Sequence, residues 1–161
     1  MKLGLFGLLA TTAVLSTGCE PYACTLIGCD STLIVNVAGP GGADLADGTF
    51  EVAFDLDGET YGTTCAYGPD NEFSCEEVEG EGRFDVWTST RGGTFDLQVY
   101  STSEEAPTTY DIEIFSGDAL VLEHSATPDY EVSEPNGEGC GTCQFAREEL
   151  TIDLTPEHEE D

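Results

Sequence analysis

Apolar and polar residues alternate one by one along most of this chain. Phe50, Val52, Phe54 and Leu56 alternate with Thr49, Glu51, Ala53 and Asp55, and Phe95, Leu97 and Val99 with Asp96, Gln98 and Tyr100. Tyr110, Ile112 and Ile114 alternate with Asp111 and Glu113, and Leu150, Ile152 and Leu154 with Thr151 and Asp153. A period of two sends successive side chains to opposite faces of a strand. Each run therefore predicts a strand with one face buried and acid on the other. Leu33 to Val37 reads as an apolar run suited to a more deeply buried strand. Weaker strands are expected near Thr60–Tyr67, Glu72–Val78, Arg83–Thr90, Ala119–His124 and Asp129–Val132. Beyond the first eighteen residues no segment longer than a turn or two has a helical period.

The breaks between these runs carry turn chemistry: Gly39-Pro40-Gly41-Gly42, Gly68-Pro69-Asp70-Asn71, Gly80-Glu81-Gly82, Arg91-Gly92-Gly93, Gly117-Asp118 and Pro135-Asn136-Gly137. Asp57-Gly58 is the sharpest, because both central residues of a type I′ hairpin turn need positive φ. Eight to ten short strands at this spacing predict an all-β fold, an antiparallel two-sheet β-sandwich of the Ig-like or prealbumin-like kind. The sandwich is expected over residues 31–155, with an acidic tail over 156–161.

The first eighteen residues read differently. Lys2 supplies a positive start, and Leu3 to Leu15 is apolar. That length suits an export signal and falls short of the ~20 apolar residues of a membrane helix. The signal closes with Ser16-Thr17-Gly18 before Cys19. Small residues directly before a cysteine resemble the lipobox of bacterial lipoproteins. That resemblance implies a diacylglyceryl group on the Cys19 thiol and cleavage just before it. The commonest lipobox has Leu three places before the cysteine. Here Ser16 holds that place and Leu15 lies one earlier, a variant the family tolerates. Residues 19–30 then form a lipid-anchored leader. Glu20 is not the Asp that marks inner-membrane retention in this class, which implies the outer membrane.

With Cys19 acylated, six cysteines remain: Cys24, Cys29, Cys65, Cys75, Cys140 and Cys143. An exported chain meets an oxidising compartment, so three disulfides are expected. Cys65 and Cys75 lie equally far from Asp70, so they face each other across the predicted hairpin. Cys24 and Cys29 precede the first predicted strand, and Cys140 and Cys143 the last. If those strands run side by side and parallel, Cys29 meets Cys143 and Cys24 meets Cys140. Sequence does not fix connectivity, so the swapped pairing and two local bridges stay open. A zinc site on the same four thiols is the sharper alternative. Cys140-x2-Cys143 has knuckle spacing, but Cys24-x4-Cys29 fits less well, and export favours oxidation.

"CTLIGCDSTLIVNV" near the start and "PNGEGCGTCQFAREEL" near the end are similar to a group of small bacterial lipoproteins. These share a CT-x-x-GC opening after the lipid cysteine and a PNG-x-GC-x-x-C block before the last strand. The resemblance implies export, anchoring and a β-rich domain, and it transfers no catalytic residue.

Charge narrows the partners. The 161 residues carry a formal net charge of −29. Loss of Lys2 with the signal leaves Arg83, Arg91 and Arg147 against 33 acidic residues, a balance of −30. Nucleic acid is excluded as a partner, since phosphate binding needs clustered Lys and Arg. Electrostatic attachment to anionic lipid fails for the same reason. The expected partners are the membrane, through the N-terminal lipid, and an unidentified protein or glycan.

Catalytic chemistry is sparse. His124 and His158 are the only histidines, and no Gly-x-Ser-x-Gly elbow occurs. His124 is expected as an exposed strand residue and His158 as part of a solvated tail. A carboxylate-dependent hydrolase is an alternative, but with 33 acids any chosen pair carries little information. "DLDGE", Asp55 to Glu59, has a faint likeness to a calcium loop, which a hairpin turn also explains. Trp87, Tyr61, Tyr67 and Tyr100 are candidates for a sugar-binding platform. Against that, Trp87 falls out of phase with Phe84 and Val86, as a half-covered sheet-face residue would. The sequence reading is a lipid-anchored cell-envelope β-sandwich acting as a structural or binding module. No enzyme activity, cofactor or metal ligand is expected, and a carbohydrate- or calcium-binding module is the alternative.

Overall fold

The computed structural model describes residues 30–68, 73–101, 105–135, 137 and 141–152. Cys19, Cys24, Cys29, Cys140, Leu154, His158 and the acidic tail lie outside the described residues. Ten strands are present among those described: β1 Ser31–Ala38, β2 Gly48–Leu56, β3 Glu59–Tyr67, β4 Phe73–Cys75, β5 Phe84–Arg91, β6 Thr94–Ser101, β7 Tyr110–Ser116, β8 Ala119–Ala126, β9 Glu131–Ser133 and β10 Cys143–Thr151. They form two five-stranded sheets, ordered β5-β6-β1-β10-β9 and β4-β3-β2-β7-β8. All pairs are antiparallel except β1 with β10, the first and last strands, which run side by side and parallel.

The two sheets form a sandwich whose core is the apolar set of the alternating runs. The first sheet contributes Leu33, Val35, Val37, Phe95, Leu97, Val99 and Ala146, and the second Phe50, Val52, Phe54, Ile112 and Ile114. These side chains are essentially out of water. Each large one stabilises by about 1.5–3 kcal/mol relative to exposure, which makes the phase of each strand hard to change.

Turn chemistry fixes the registers. Asp57 (φ 52°) and Gly58 (φ 88°) form the two-residue turn between β2 and β3, closing on the pair Leu56 and Glu59. That register runs on to bring Phe50 opposite Cys65, and the next pair of strands brings Cys65 opposite Cys75. The expected Cys65–Cys75 disulfide is formed.

The strands differ from expectation in three places. Leu33 to Val37 alternates after all: Leu33, Val35 and Val37 are buried, while Ile34 and Asn36 face outward and are half-buried. Of the strand predicted over Glu72–Val78, the described residues form only Phe73–Cys75, followed by a single bridge from Glu79 to Gly62. The last strand begins at Cys143, seven residues before the alternating run used to predict it. Cys143 therefore lies within the strand, and it is disulfide-bonded to a partner outside the described residues.

Candidate binding face

The outward face of the sheet β5-β6-β1-β10-β9 carries two large exposed aromatic side chains. Reading across it, Trp87 pairs with Gln98, Gln98 with Ile34, and Ile34 with Arg147. In the next row Asp85 pairs with Tyr100, Tyr100 with Thr32, Thr32 with Phe145, and Phe145 with Glu131. Trp87, Tyr100, Ile34 and Phe145 thus share one face. Trp87 is 64% exposed and Phe145 42%, two of the four large hydrophobic side chains that stand in water among the described residues. Tyr100 and Ile34 between them are half-buried. Trp87 and Tyr100 are diagonal cross-strand neighbours, within reach of each other's rings. Phe145 lies three strands from Trp87, ~14 Å at ordinary strand spacing.

Polar side chains on this face are held in place. Tyr100 donates its hydroxyl hydrogen to Gln98 Oε1 at 2.7 Å, and Gln98 Nε2 donates to Ser89 Oγ at 2.6 Å. Asn36 Nδ2 donates to Asp96 Oδ1 at 2.7 Å and to Thr94 Oγ1 at 3.3 Å. Asp85, Glu131 and Glu149 stand around the apolar centre, and Arg147 points out beside Ile34.

The four aromatic residues singled out in the sequence do not act together. Tyr61 and Tyr67 belong to the core of the opposite sheet. Tyr61 stacks on Phe54 with ring centroids 5.4 Å apart, and its hydroxyl donates to Glu59 and accepts from the Phe84 N–H. Trp87 and Tyr100 alone share a surface, and Trp87 stands further into water than the half-covered position expected of it. Phe145 and Ile34 were missed. Extending the Ala146, Glu148, Leu150 alternation back by one residue assigns Phe145 to the outer face.

The outer face of the other sheet is mainly acidic, with Phe115 and the exposed Leu120 at one end. Glu51, Asp55, Asp111, Glu113 and Glu123 point out from β2, β7 and β8. Asp55 lies directly across from Asp111, and Glu113 across from Glu123. At the seam where β4 adjoins β5, a groove of about 440 Å³ is lined by Glu76, Glu77, Val78, Asp85, Val86 and Trp87 among others.

"DLDGE" proves to be a tightly satisfied hairpin. Asp57 Oδ1 accepts from the N–H and hydroxyl of both Thr108 and Thr109, at 2.7–3.2 Å. Asp57 Oδ2 pairs with Arg83 at 2.8 Å. Burial pushes the Asp57 carboxyl up, but the Thr108 and Thr109 hydrogen bonds outweigh it, so the net shift is downward. Asp55 Oδ1 accepts from the Gly58 N–H, and Glu59 from Tyr61 and from Arg83. Arg83 pairs with Asp57 and Glu59, and Asp55 accepts from Gly58 and Thr60. Among the described residues no three His, Cys, Asp or Glu side chains are grouped to hold a metal ion.

His124 departs from expectation. It lies opposite the buried Ile112, so it faces inward, and its Nε2 is buried with no hydrogen-bond partner. Its ring lies 5.7 Å from that of Tyr110, whose buried hydroxyl also has no partner. A register shift between Ile114 and Phe115 marks a bulge in this pair of strands. Burial, then the Glu148 charge, push the Tyr110 hydroxyl up to about 12. Burial and nearby acids also raise Tyr130, whose hydroxyl donates to the Pro107 carbonyl.

Fold and face together define a disulfide-braced β-sandwich with one aromatic and one acidic sheet face. No family model matches the chain, and no curated protein or solved structure matches it.

Proposed function

We propose that this chain is an exported, lipid-anchored module of the bacterial cell envelope that binds a partner through the outer face of the β5-β6-β1-β10-β9 sheet. One observation supports the binding role. Half of the large hydrophobic side chains exposed among the described residues stand on that face, flanked by Tyr100 and Ile34. Isolated exposed apolar residues are ordinary, but a grouped set with an exposed tryptophan marks an interaction surface. The anchoring role is supported by the Leu15-to-Cys19 sequence and by the odd cysteine left when the other six pair.

Two experiments test this reading. Intact mass of the mature protein is expected to begin at Cys19 with a diacylglyceryl addition, and an unmodified Cys19 contradicts the anchor. A photo-crosslinking amino acid at Ile34 in living cells is expected to give a heavier adduct, while the same group at Glu113, on the acidic face, gives none. Equal adducts from both positions, or none from Ile34, contradict the binding face.

A further inference from the structure

We infer that the ligand of this face is a chain of uncharged sugars. This rests on the reading of the Trp87 face as the working surface, and it names the chemistry that surface takes. The aromatic groups come first. Trp87 and Tyr100 lie on adjacent strands and Phe145 two strands further on, so one extended ligand crossing the strands meets three rings in turn. A pyranose ring presents a face of C–H bonds with hydroxyls at its rim. An aromatic ring covers that face while polar groups beside it take the hydroxyls.

The polar groups beside these rings suit that geometry. Gln98 sits between Trp87 and Ile34 in its row, its amide fixed by Tyr100 and Ser89. An amide has two N–H hydrogens and two carbonyl lone pairs. One of each is used by these neighbours, leaving one donor and one acceptor for a ligand hydroxyl. Arg147 adds donors beside Ile34. Held in advance, these groups lose little freedom on binding.

Charge selects among occupants. At a net charge near −30 this protein repels polyanions, and with them acidic glycans. The same repulsion opposes a second copy on this face, where Asp85, Asp96, Glu131 and Glu149 stand around the rings. A basic segment gains more from the opposite sheet face, which has two directly opposed acid pairs, than from this one, where Arg147 stands among the four acids. An uncharged polyhydroxylated chain pays no such electrostatic penalty and uses the rings and the amide together.

Trp87 is the only tryptophan in the chain, so its fluorescence reports on this face alone. The full-length mature protein is titrated, in a polyoxyethylene detergent free of sugar, with chitohexaose and cellohexaose, and with oligogalacturonate as the anionic control. A saturable blue shift is expected with at least one uncharged hexamer and none with the anion. Phe145→Ala and Tyr100→Ala are each expected to raise Kd about tenfold or more, while Glu113→Gln leaves it unchanged. Thermal midpoints of the variants identify any that fail to fold, and Phe145, at 42% exposure, is the safer of the two. No shift with either uncharged hexamer overturns the inference, as does an equal response to the anion or a Kd that Phe145→Ala leaves unmoved. An adduct at Ile34 without any sugar response keeps the binding face and assigns it to a protein partner. Loss of both removes the face as well.

Discussion

Asp57 shows how much one side chain settles. It adopts positive φ in the hairpin turn, and its carboxylate ties that turn to Thr108, Thr109 and Arg83. Because its folded pKa lies below the unfolded value, it stabilises the fold above ~pH 4, and that contribution is lost as pH falls through the folded pKa. Asp57→Asn keeps an acceptor oxygen and tolerates the backbone, but it has no charge. Urea unfolding is expected to show it about 1–3 kcal/mol less stable at pH 7. The gap should narrow in acid, and a gap that stays constant down to pH 2 contradicts this role. Tyr110 predicts the reverse sign. Its buried hydroxyl has no protein partner, so Tyr110→Phe removes an uncompensated desolvation and is expected to stabilise by about 1 kcal/mol. A loss of stability on the same measurement would reveal a bound water or other partner at that oxygen. Residue identities gave the turn at Asp57 but not its tether, because Thr108 and Thr109 are some fifty positions away.

Strands with a clean period of two were legible, and their faces with them: β2, β6 and β7 bury the residues the alternation assigned to the core. Short edge strands were not, since β4 and β9 have three residues each and their extent is set by neighbours. β10 was read too late, because Arg147, Glu148 and Glu149 break the apolar period that marks its far end. That error hid Phe145, while Ile34 was hidden by reading Leu33 to Val37 as an unbroken apolar run. His124 was misplaced for a related reason: β8 takes its phase from pairing with β7, so Ile112 opposite it decides which way it points. The cysteine framework was readable where a hairpin made it local. Removing the Cys65–Cys75 bridge, which spans ten positions, is expected to cost about 3 kcal/mol in the chain-entropy model. The parallel register of β1 and β10 continues from Thr32 opposite Phe145, and the Gln144 N–H donates to Ser31 Oγ. One further step sets Cys143 level with Asp30, next in sequence to Cys29. Non-reducing peptide mapping is therefore expected to join Cys143 to Cys29, and recovery of a local Cys140–Cys143 peptide contradicts that pairing.

For the whole molecule, charge is the dominant fact and it is unevenly used. Opposed acids on the β2-β7-β8 face repel at close range, and directly opposed like charges destabilise a sheet. Stability is expected to rise between low salt and about 0.5 M sodium chloride, where the screening length falls to roughly 4 Å. Magnesium and calcium should act alike at lower concentration, because Asp57 and Glu59 of the loop are already paired with Arg83. A rise with calcium alone would require a specific site. On the aromatic face the acids stand around exposed rings and Arg147 rather than directly opposite one another. The measurement that bears most directly on its role is hydroxyl-radical footprinting of the full-length protein, in native envelopes and after purification in detergent. Trp87, Tyr100 and Phe145 are predicted to be protected in envelopes, with Leu120, exposed on the other sheet, reacting equally in both states. Equal oxidation of Trp87 in envelopes and in detergent would contradict a bound partner on this face.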